Sequence, residues 1–433
     1  MSSALIGFLG FIIALALIAF GLPVAVAMAV VGIAGFWLLN GWTGAAFILG
    51  SSPFEAIFPY SLSVIPLFVM MGVFAARAGL SRSLFNVVNG FFGHIRGGLA
   101  VTAVGACALF GAICGSSLAT VATMGRVAIP EMKRHGYSTS LSSAAIAAGG
   151  TLGVLIPPSI LLVIYGILTQ TSIGQLFIGA IVPGILGTVL YALAIIFRVR
   201  MKPDLAPPTP RTDWSTRFAS LGSVWGVVLL FALVIGGIYL GLFSPTEAAA
   251  VGAVGAFILA LFSGELDRKA FWEALSETAS LTGMIFFILI GASLFNYFLE
   301  TTGLPSGLIS LIQSSGLGPT SVLIIILLFY IVLGCFMDSM SMILLTVPFL
   351  APVAQTLGYD MVWFGILVVT VAEIGLITPP VGMNLFVVQA TMPGLSQRTV
   401  VSGILPFILA DFVRLILLVI LPALTLWLPS KMF

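Results

Sequence analysis

Apolar runs bounded by glycine, proline or charge recur along this chain, and most are long enough for a helix to cross a bilayer. A helix rises about 1.5 Å per residue, so a hydrocarbon core about 30 Å thick takes roughly 20 apolar residues, with every backbone N–H and C=O bonded inside the segment. No Lys, Arg, Asp or Glu occurs from Met1 to Phe54, from His135 to Phe197 or from Thr301 to Met337, and each stretch exceeds one crossing. The pattern predicts an all-α integral membrane protein with about ten crossings: 4–20, 22–40, 62–78, 138–170, 175–197, 218–241, 245–263, 281–300, 361–391 and 400–428. Three polar-interrupted pieces, 51–60, 81–94 and 265–279, read as interfacial. No basic n-region or clear cleavage site accompanies Ala4 to Phe20, which reads as a retained first helix.

The stretches 97–135 and 317–357 are each long enough for two helices, but their centres, Gly115-Ser116-Ser117 and Asp338-Ser339-Met340-Ser341, are small and polar. Both are predicted to be re-entrant hairpins that enter and leave on one side. Charge tests this. With the N-terminus outside, Arg77, Arg82, Arg96, Lys133, Arg134, the basic residues of 198–217, Arg268, Lys269 and Arg398 share one face, and Lys431 alone falls on the other. The positive-inside rule makes the crowded face cytoplasmic and places both termini outside. The loop 198–217 also carries Pro203, Pro207, Pro208 and Pro210 and reads as a linker between halves.

Composition narrows the function. The chain is 60% hydrophobic and 7% charged, against about 45–50% and about 25% in soluble domains. A soluble globular protein is excluded, as is disorder, and a formal charge of +2 leaves no basic footprint for nucleic acid. Cys107, Cys114 and Cys335 sit in apolar, small-residue segments and read as packing thiols. His94 and His135 have no carboxylate or cysteine at ligand spacing. Neither H-E-x-x-H, G-x-S-x-G nor a P-loop occurs, so energy must come from a gradient or a partner.

The halves repeat. Gly111, Gly136-Tyr137, Gly153, Pro157-Pro158 and Pro183 recur 222 or 223 residues later as Gly334, Gly358-Tyr359, Gly375, Pro379-Pro380 and Pro406. Gly21-Leu22 with Gly241-Leu242, and Gly79-Leu80 with Gly303-Leu304, extend the match more weakly. Five crossings per half, an odd number, turn the second half upside down. Matched interruptions in an inverted repeat are the mark of secondary transporters, whose site lies near the midplane between broken helices.

In the first half, prolines without N–H groups and flexible glycines free backbone carbonyls at membrane depth. With the hydroxyls of Ser116, Ser117, Thr120 and Thr151 they form hard oxygen donors suited to an alkali cation, while half-helix N-termini attract a carboxylate. The alternative is close helix packing with each hydroxyl bonded to its own helix. The second copy adds Asp338, Glu373, Thr378 and Asn384. Asp338 is either a cation ligand or a helix cap, and Glu373, in the place of Thr151, either joins the ion site or bonds a neighbouring helix. Asp411 and Arg414, three apart on one helix, form a neutralising pair. Arg126 either holds a carboxylate bidentately or snorkels to the interface.

The runs Gly115-Ser-Ser-Leu-Ala-Thr-Val-Ala-Thr-Met-Gly125, Ile129-Pro-Glu-Met132, His135-Gly-Tyr137, Gly149-Gly-Thr-Leu-Gly-Val-Leu-Ile-Pro-Pro-Ser159 and Glu373-Ile-Gly-Leu-Ile-Thr-Pro-Pro-Val-Gly-Met-Asn384 resemble the large membrane subunit of tripartite ATP-independent periplasmic (TRAP) transporters. The resemblance covers essentially the whole chain. It implies the ion-transporter fold with elevator-like transport parts, and sodium-coupled uptake of an organic acid such as a C4-dicarboxylate or sialic acid across the bacterial inner membrane. Sodium is then the only metal and no other cofactor is implied. The implied partners are a periplasmic substrate-binding protein and a small four-helix membrane subunit, here expected as a separate polypeptide.

Carried over residue by residue, the resemblance assigns one sodium to Ser116, Ser117, Gly153 and Pro157 and a second to Asp338, Ser339, Gly375 and Thr378. Thr120, Arg126, Thr151, Ser341 and Asn384 are assigned to the substrate. The parts become scaffold 1–96, transport part 97–200, cytoplasmic linker 201–217, scaffold 218–316 and transport part 317–433, with both termini periplasmic. A self-sufficient sodium/dicarboxylate symporter of the same fold is the alternative.

Overall fold

In the computed structural model, which describes residues 3–209, 211, 213–392 and 394–432, every regular element is helical. Pro210, one of the linker prolines, lies outside the described residues. The first half runs α1 (Ser3–Ala19), α2 (Val24–Ile57), α3 (Val64–Arg77), α4 (Leu80–Phe92), α5 (Gly98–Cys114), α6 (Ser117–Arg134), α7 (Thr139–Leu155), α8 (Ile160–Thr169) and α9 (Ile173–Met201). The second runs α10 (Trp214–Tyr239), α11 (Pro245–Phe262), α12 (Arg268–Thr302), α13 (Leu304–Ser315), α14 (Pro319–Gly334), α15 (Ser339–Thr356), α16 (Met361–Ile377), α17 (Met383–Thr391) and α18 (Gln397–Ile420). The two series match in order, and α6 and α15, like α7 and α16, begin 222 residues apart.

Among the described residues, eight helices are long and apolar enough to cross a membrane, or nine if α7 and α8, bent by 41°, count as one span. Helices α1, α5, α14 and α16 are apolar but shorter. Exposed Phe, Leu, Ile, Val and Trp side chains cover the outer faces of α2, α9, α10, α14 and α18, as expected for surfaces solvated by lipid.

Glycine and proline set where the halves differ. Helix α2 is kinked at Gly41, at φ 75°, and Gly264, at φ 73°, separates α11 from α12 at the equivalent place. L side chains rarely adopt this left-handed conformation, so glycine fixes both breaks. Pro59 then ends α2, whereas no proline lies between Pro245 and Pro305, and α12 continues for 35 residues. The separate interfacial helix expected at 265–279 is therefore the first part of one helix about 50 Å long. Its acidic turns are held by a distant partner: Arg77 contacts Glu273 at 3.0 Å and Glu277 at 3.5 Å. Helix α13 was not foreseen, although Gly303-Leu304 repeats the Gly79-Leu80 that opens α4.

Glycine also lets helices touch backbone to backbone. Helix α5 meets α7 where a Cβ added to Gly153 would lie 2.4 Å from Gly111 Cα, and α14 meets α16 where one on Gly375 would lie 2.4 Å from Gly334 Cα. The two halves interlock at the centre. Asn384 on α17, fully buried, donates through Nδ2 to Ser117 Oγ at 2.8 Å and to the Ala147 carbonyl at 3.0 Å. Replacing Asn384 by alanine leaves those acceptors unpaired, and thermal or denaturant unfolding should register a loss of about 1–3 kcal/mol.

Candidate functional site

Two helix N-termini, one from each half, open onto a cavity of about 160 Å³. The α6 end is formed by Gly115, in the left-handed conformation at φ 63°, and Ser116, whose Oγ caps the Ala119 N–H at 3.4 Å. The α15 end is capped by Asp338, which accepts the Ser341 N–H at 3.0 Å and the Ser341 hydroxyl at 2.6 Å. Residues 115–119 and 338–340 line one side of the cavity, joined by Val154, Ile160, Leu161, Glu373 and Leu376. Val69, Gly72, Val73 and Ala76 of α3 and Glu277, Leu281, Met284 and Ile285 of α12 form the opposite wall. The hairpin tips thus face the helices expected to belong to the scaffold. Unpaired N–H groups at a helix start carry partial positive charge and draw an anion, but Asp338 already sits at the α15 end and Glu277 and Glu373 add negative charge to the same lining, so an anion enters this cavity only with cations to offset them.

Each repeat also brings a broken helix to its tip. Helix α7 stops at Leu155, and Ile156, Pro157 and Pro158 carry the chain to the Ser159 cap of α8; α16 stops at Ile377, and five residues lead to α17. Thr120 Oγ1 is buried and has no hydrogen-bond partner, and it lies toward Gly153, 3.3 Å from where a Cβ there would sit. In the second repeat Ser339 Oγ donates to Glu373 Oε1 at 3.0 Å, and Glu373 Oε2 is buried without a partner. Thr378 directs its hydroxyl to the Ile374 carbonyl at 2.6 Å, which places it at the end of α16 but commits its proton there. The donor set is hard oxygen, the chemistry an alkali cation takes.

The structure therefore brings together Ser116, Ser117, Asp338 and Ser339 at the cavity, while Gly153 and Gly375 sit just behind in the helix contacts and Pro157 is buried in the α7–α8 break. The five residues assigned to substrate lie elsewhere. Ser341 bonds Asp338, and Asn384 holds Ser117 from the far side. Thr151 turns away, bonding the Ala148 carbonyl at 2.7 Å and Tyr191 at 3.2 Å. Thr120 lies behind the first tip. Arg126, exposed, bonds the Ala122 carbonyl through Nε at 3.2 Å and lines an adjoining cavity with Arg77, Glu273 and Glu277. That cavity shares Val73, Ala76, Thr123 and Glu277 with the first, so the two adjoin. Glu277, in a segment that reads as a surface helix, was missed as a wall residue; its i, i+4 spacing from Glu273 was the available signal.

Behind the site lies a buried chain of polar groups. Tyr191 on α9 donates to Asp411 Oδ2 at 2.6 Å, and Asp411 Oδ1 pairs with Arg414 Nη2 at 2.8 Å, the acid and the base each being 1% exposed. Through Thr151 this chain reaches α7. Cys107, Cys114 and Cys335 are buried.

Residues 11–424 match the family described as Tripartite ATP-independent periplasmic transporter, DctM component. The C4-dicarboxylate TRAP transporter large permease protein DctM of Pseudomonas aeruginosa is 40% identical, over 90% of this chain and 93% of that protein. The sialic acid TRAP transporter large permease protein SiaM of Vibrio cholerae is 32% identical, over 99% and 98%. The solved structure of Neisseria gonorrhoeae MtrF shares the fold at a TM-score of 0.64, with 12% identity, over 97% of this chain and 95% of that one.

Proposed function

The chain belongs to the DctM component family of TRAP transporters, large membrane permeases that are transport proteins and not enzymes, and we propose that it imports an organic acid as sodium moves down its gradient. The observation that carries this reading is the cavity into which the N-termini of α6 and α15, from opposite repeats, both open. A carboxylate seated there gains the α6 end but meets Asp338, Glu277 and Glu373, so it is expensive in this low-dielectric cavity unless cations travel with it. One sodium site is formed around Ser116, Ser117, Gly153 and Pro157, with Thr120 adjacent; the other around Asp338, Ser339, Gly375 and Thr378. Similarity to permeases named for dicarboxylates and sialic acid supports a carboxylate cargo of that class.

In this reading α5–α9 and α14–α18 form the moving part, with α5–α6 and α14–α15 as hairpins that meet from opposite sides. Helices α1–α4 and α10–α13 form the scaffold. Two pairs of segments counted as cytoplasmic lie together: Arg77 of α3 shares Glu273 with Lys269 of α12, and Arg198 of α9 donates to the carbonyls of Ser402 and Gly403 on α18, the helix whose first turn carries Arg398. This supports an inner-membrane topology with both termini periplasmic. Arg126, beside the cavity on that cytoplasmic side, receives the departing carboxylate.

The substrate arrives from a periplasmic binding protein, and a small four-helix subunit completes the membrane complex. Liposomes containing this chain, with and without its small subunit and binding protein, test the arrangement. Uptake of a labelled dicarboxylate or sialic acid should require the binding protein. Uptake by the chain alone from free solution would instead establish a self-sufficient symporter.

A further inference from the structure

We infer that Glu373 is the anionic ligand of the second-repeat cation, so that the two repeats carry chemically unlike sodium sites, one neutral and one charged. The inference rests on the sodium-coupled reading above. Glu373 is 1% exposed, lines the cavity between the tips, bonds Ser339 of the second tip with Ser117 of the first close by, and leaves Oε2 without a hydrogen-bond partner. A carboxylate stripped of water and left unpaired is strongly disfavoured, so through the cycle it must either take up a proton or stand against a positive charge; a hard oxygen facing a cavity between two hairpin tips suits the second.

The lining of the cavity supplies none. No Lys, Arg or His lines that cavity among the described residues. The charged and titratable groups toward the Glu373 end of α16 include Asp338 at the α15 tip, Glu277 on α12, Cys114 at the end of α5, Tyr191 on α9, and Asp411 and Arg414 on α18, while Asp360 and Tyr165 lie at its far end. Arg414 pairs with Asp411 through Nη2, keeps Nε and Nη1 without a hydrogen-bond partner and does not line the cavity, and the other groups named are acidic or neutral.

Comparison between repeats separates this from a plain structural hydrogen bond. Glu373 occupies in α16 the place of Thr151 in α7, but Thr151 is sealed by the Ala148 carbonyl and Tyr191, whereas Glu373 faces the cavity. In the first repeat the unpartnered oxygen near the tip is instead the neutral hydroxyl of Thr120. Asp338, the other acid at the second tip, has both oxygens engaged by Ser341. Ser339 spends its proton on Glu373 Oε1, which leaves its own oxygen lone pairs available beside Oε2. One carboxylate oxygen and one hydroxyl oxygen then remain as hard donors at the cavity.

Thermal unfolding of the purified chain, in sodium chloride against choline chloride at constant ionic strength, tests this. Glu373→Gln keeps an acceptor for Ser339 and removes the charge. It should raise the half-stabilising sodium concentration at least about tenfold, and in choline it should melt at or above the wild type because no buried acid is left to neutralise. An unchanged sodium midpoint with a lower melting point in choline would make Glu373 structural only and overturn the inference while leaving sodium coupling intact. Absence of any sodium effect on the wild type would overturn both. Should the variant not fold, hydrogen exchange of the wild type decides: sodium must slow exchange at residues 337–341 and 373–378, and equal exchange in sodium and choline there overturns the inference.

Discussion

Gly153→Ala is expected to reduce sodium-dependent uptake roughly 100-fold, the scale on which a displacement of about 1 Å disables a built site. The added Cβ would stand 2.4 Å from Gly111 Cα, a backbone atom that no rotamer change can move aside. Helices α5 and α7 must separate, and with them the first tip and the break at Pro157. Gly375→Ala should do the same in the second repeat, where its Cβ would stand 2.4 Å from Gly334 Cα. Gly283 on α12 has nothing within 4 Å of the added atom, so Gly283→Ala should leave uptake intact and stabilise the helix slightly. Radiolabel uptake by liposomes containing each variant at matched protein content makes the comparison; normal uptake by Gly153→Ala would show that the contact does not position the site.

The second large effect concerns stability. Arg414→Met should destabilise the protein by about 3–5 kcal/mol, because Asp411 is left charged and buried. Asp411 then retains only the Tyr191 hydroxyl, itself buried and shared with Thr151. The double variant Asp411→Asn with Arg414→Met should recover most of the loss, since replacing a whole buried pair by neutral groups is far milder than breaking it. Thermal unfolding in detergent reads both. If the double variant were as unstable as the single, packing of the arginine stem and not its charge would be the cause.

The duplicated order of helices was legible from glycine and proline, because those residues fix backbone breaks and close approaches that composition elsewhere does not. Gly111 with Gly153, and Gly334 with Gly375, touch as pairs in both repeats. Side-chain direction was less legible. Thr151 and Glu373 hold equivalent positions, yet one hydroxyl is sealed by a tyrosine 40 residues on and the other side chain faces the cavity. Asn384 reads as a ligand from its motif, but its partners Ser117 and Ala147 lie in the other repeat. The unbroken α12 was hidden for the same reason: Arg77, 196 residues away, steadies its acidic turns. Motifs name which groups gather at a site; long-range packing decides which of them face it.

The most direct test of the central reading is accumulation of a labelled organic acid by liposomes holding the complete complex, with an inward sodium gradient as the only driving force, membrane potential and pH difference both clamped to zero. The account predicts accumulation above the external concentration, released when a sodium ionophore collapses the gradient. Mere equilibration, or accumulation driven equally by a proton gradient without sodium, would contradict it.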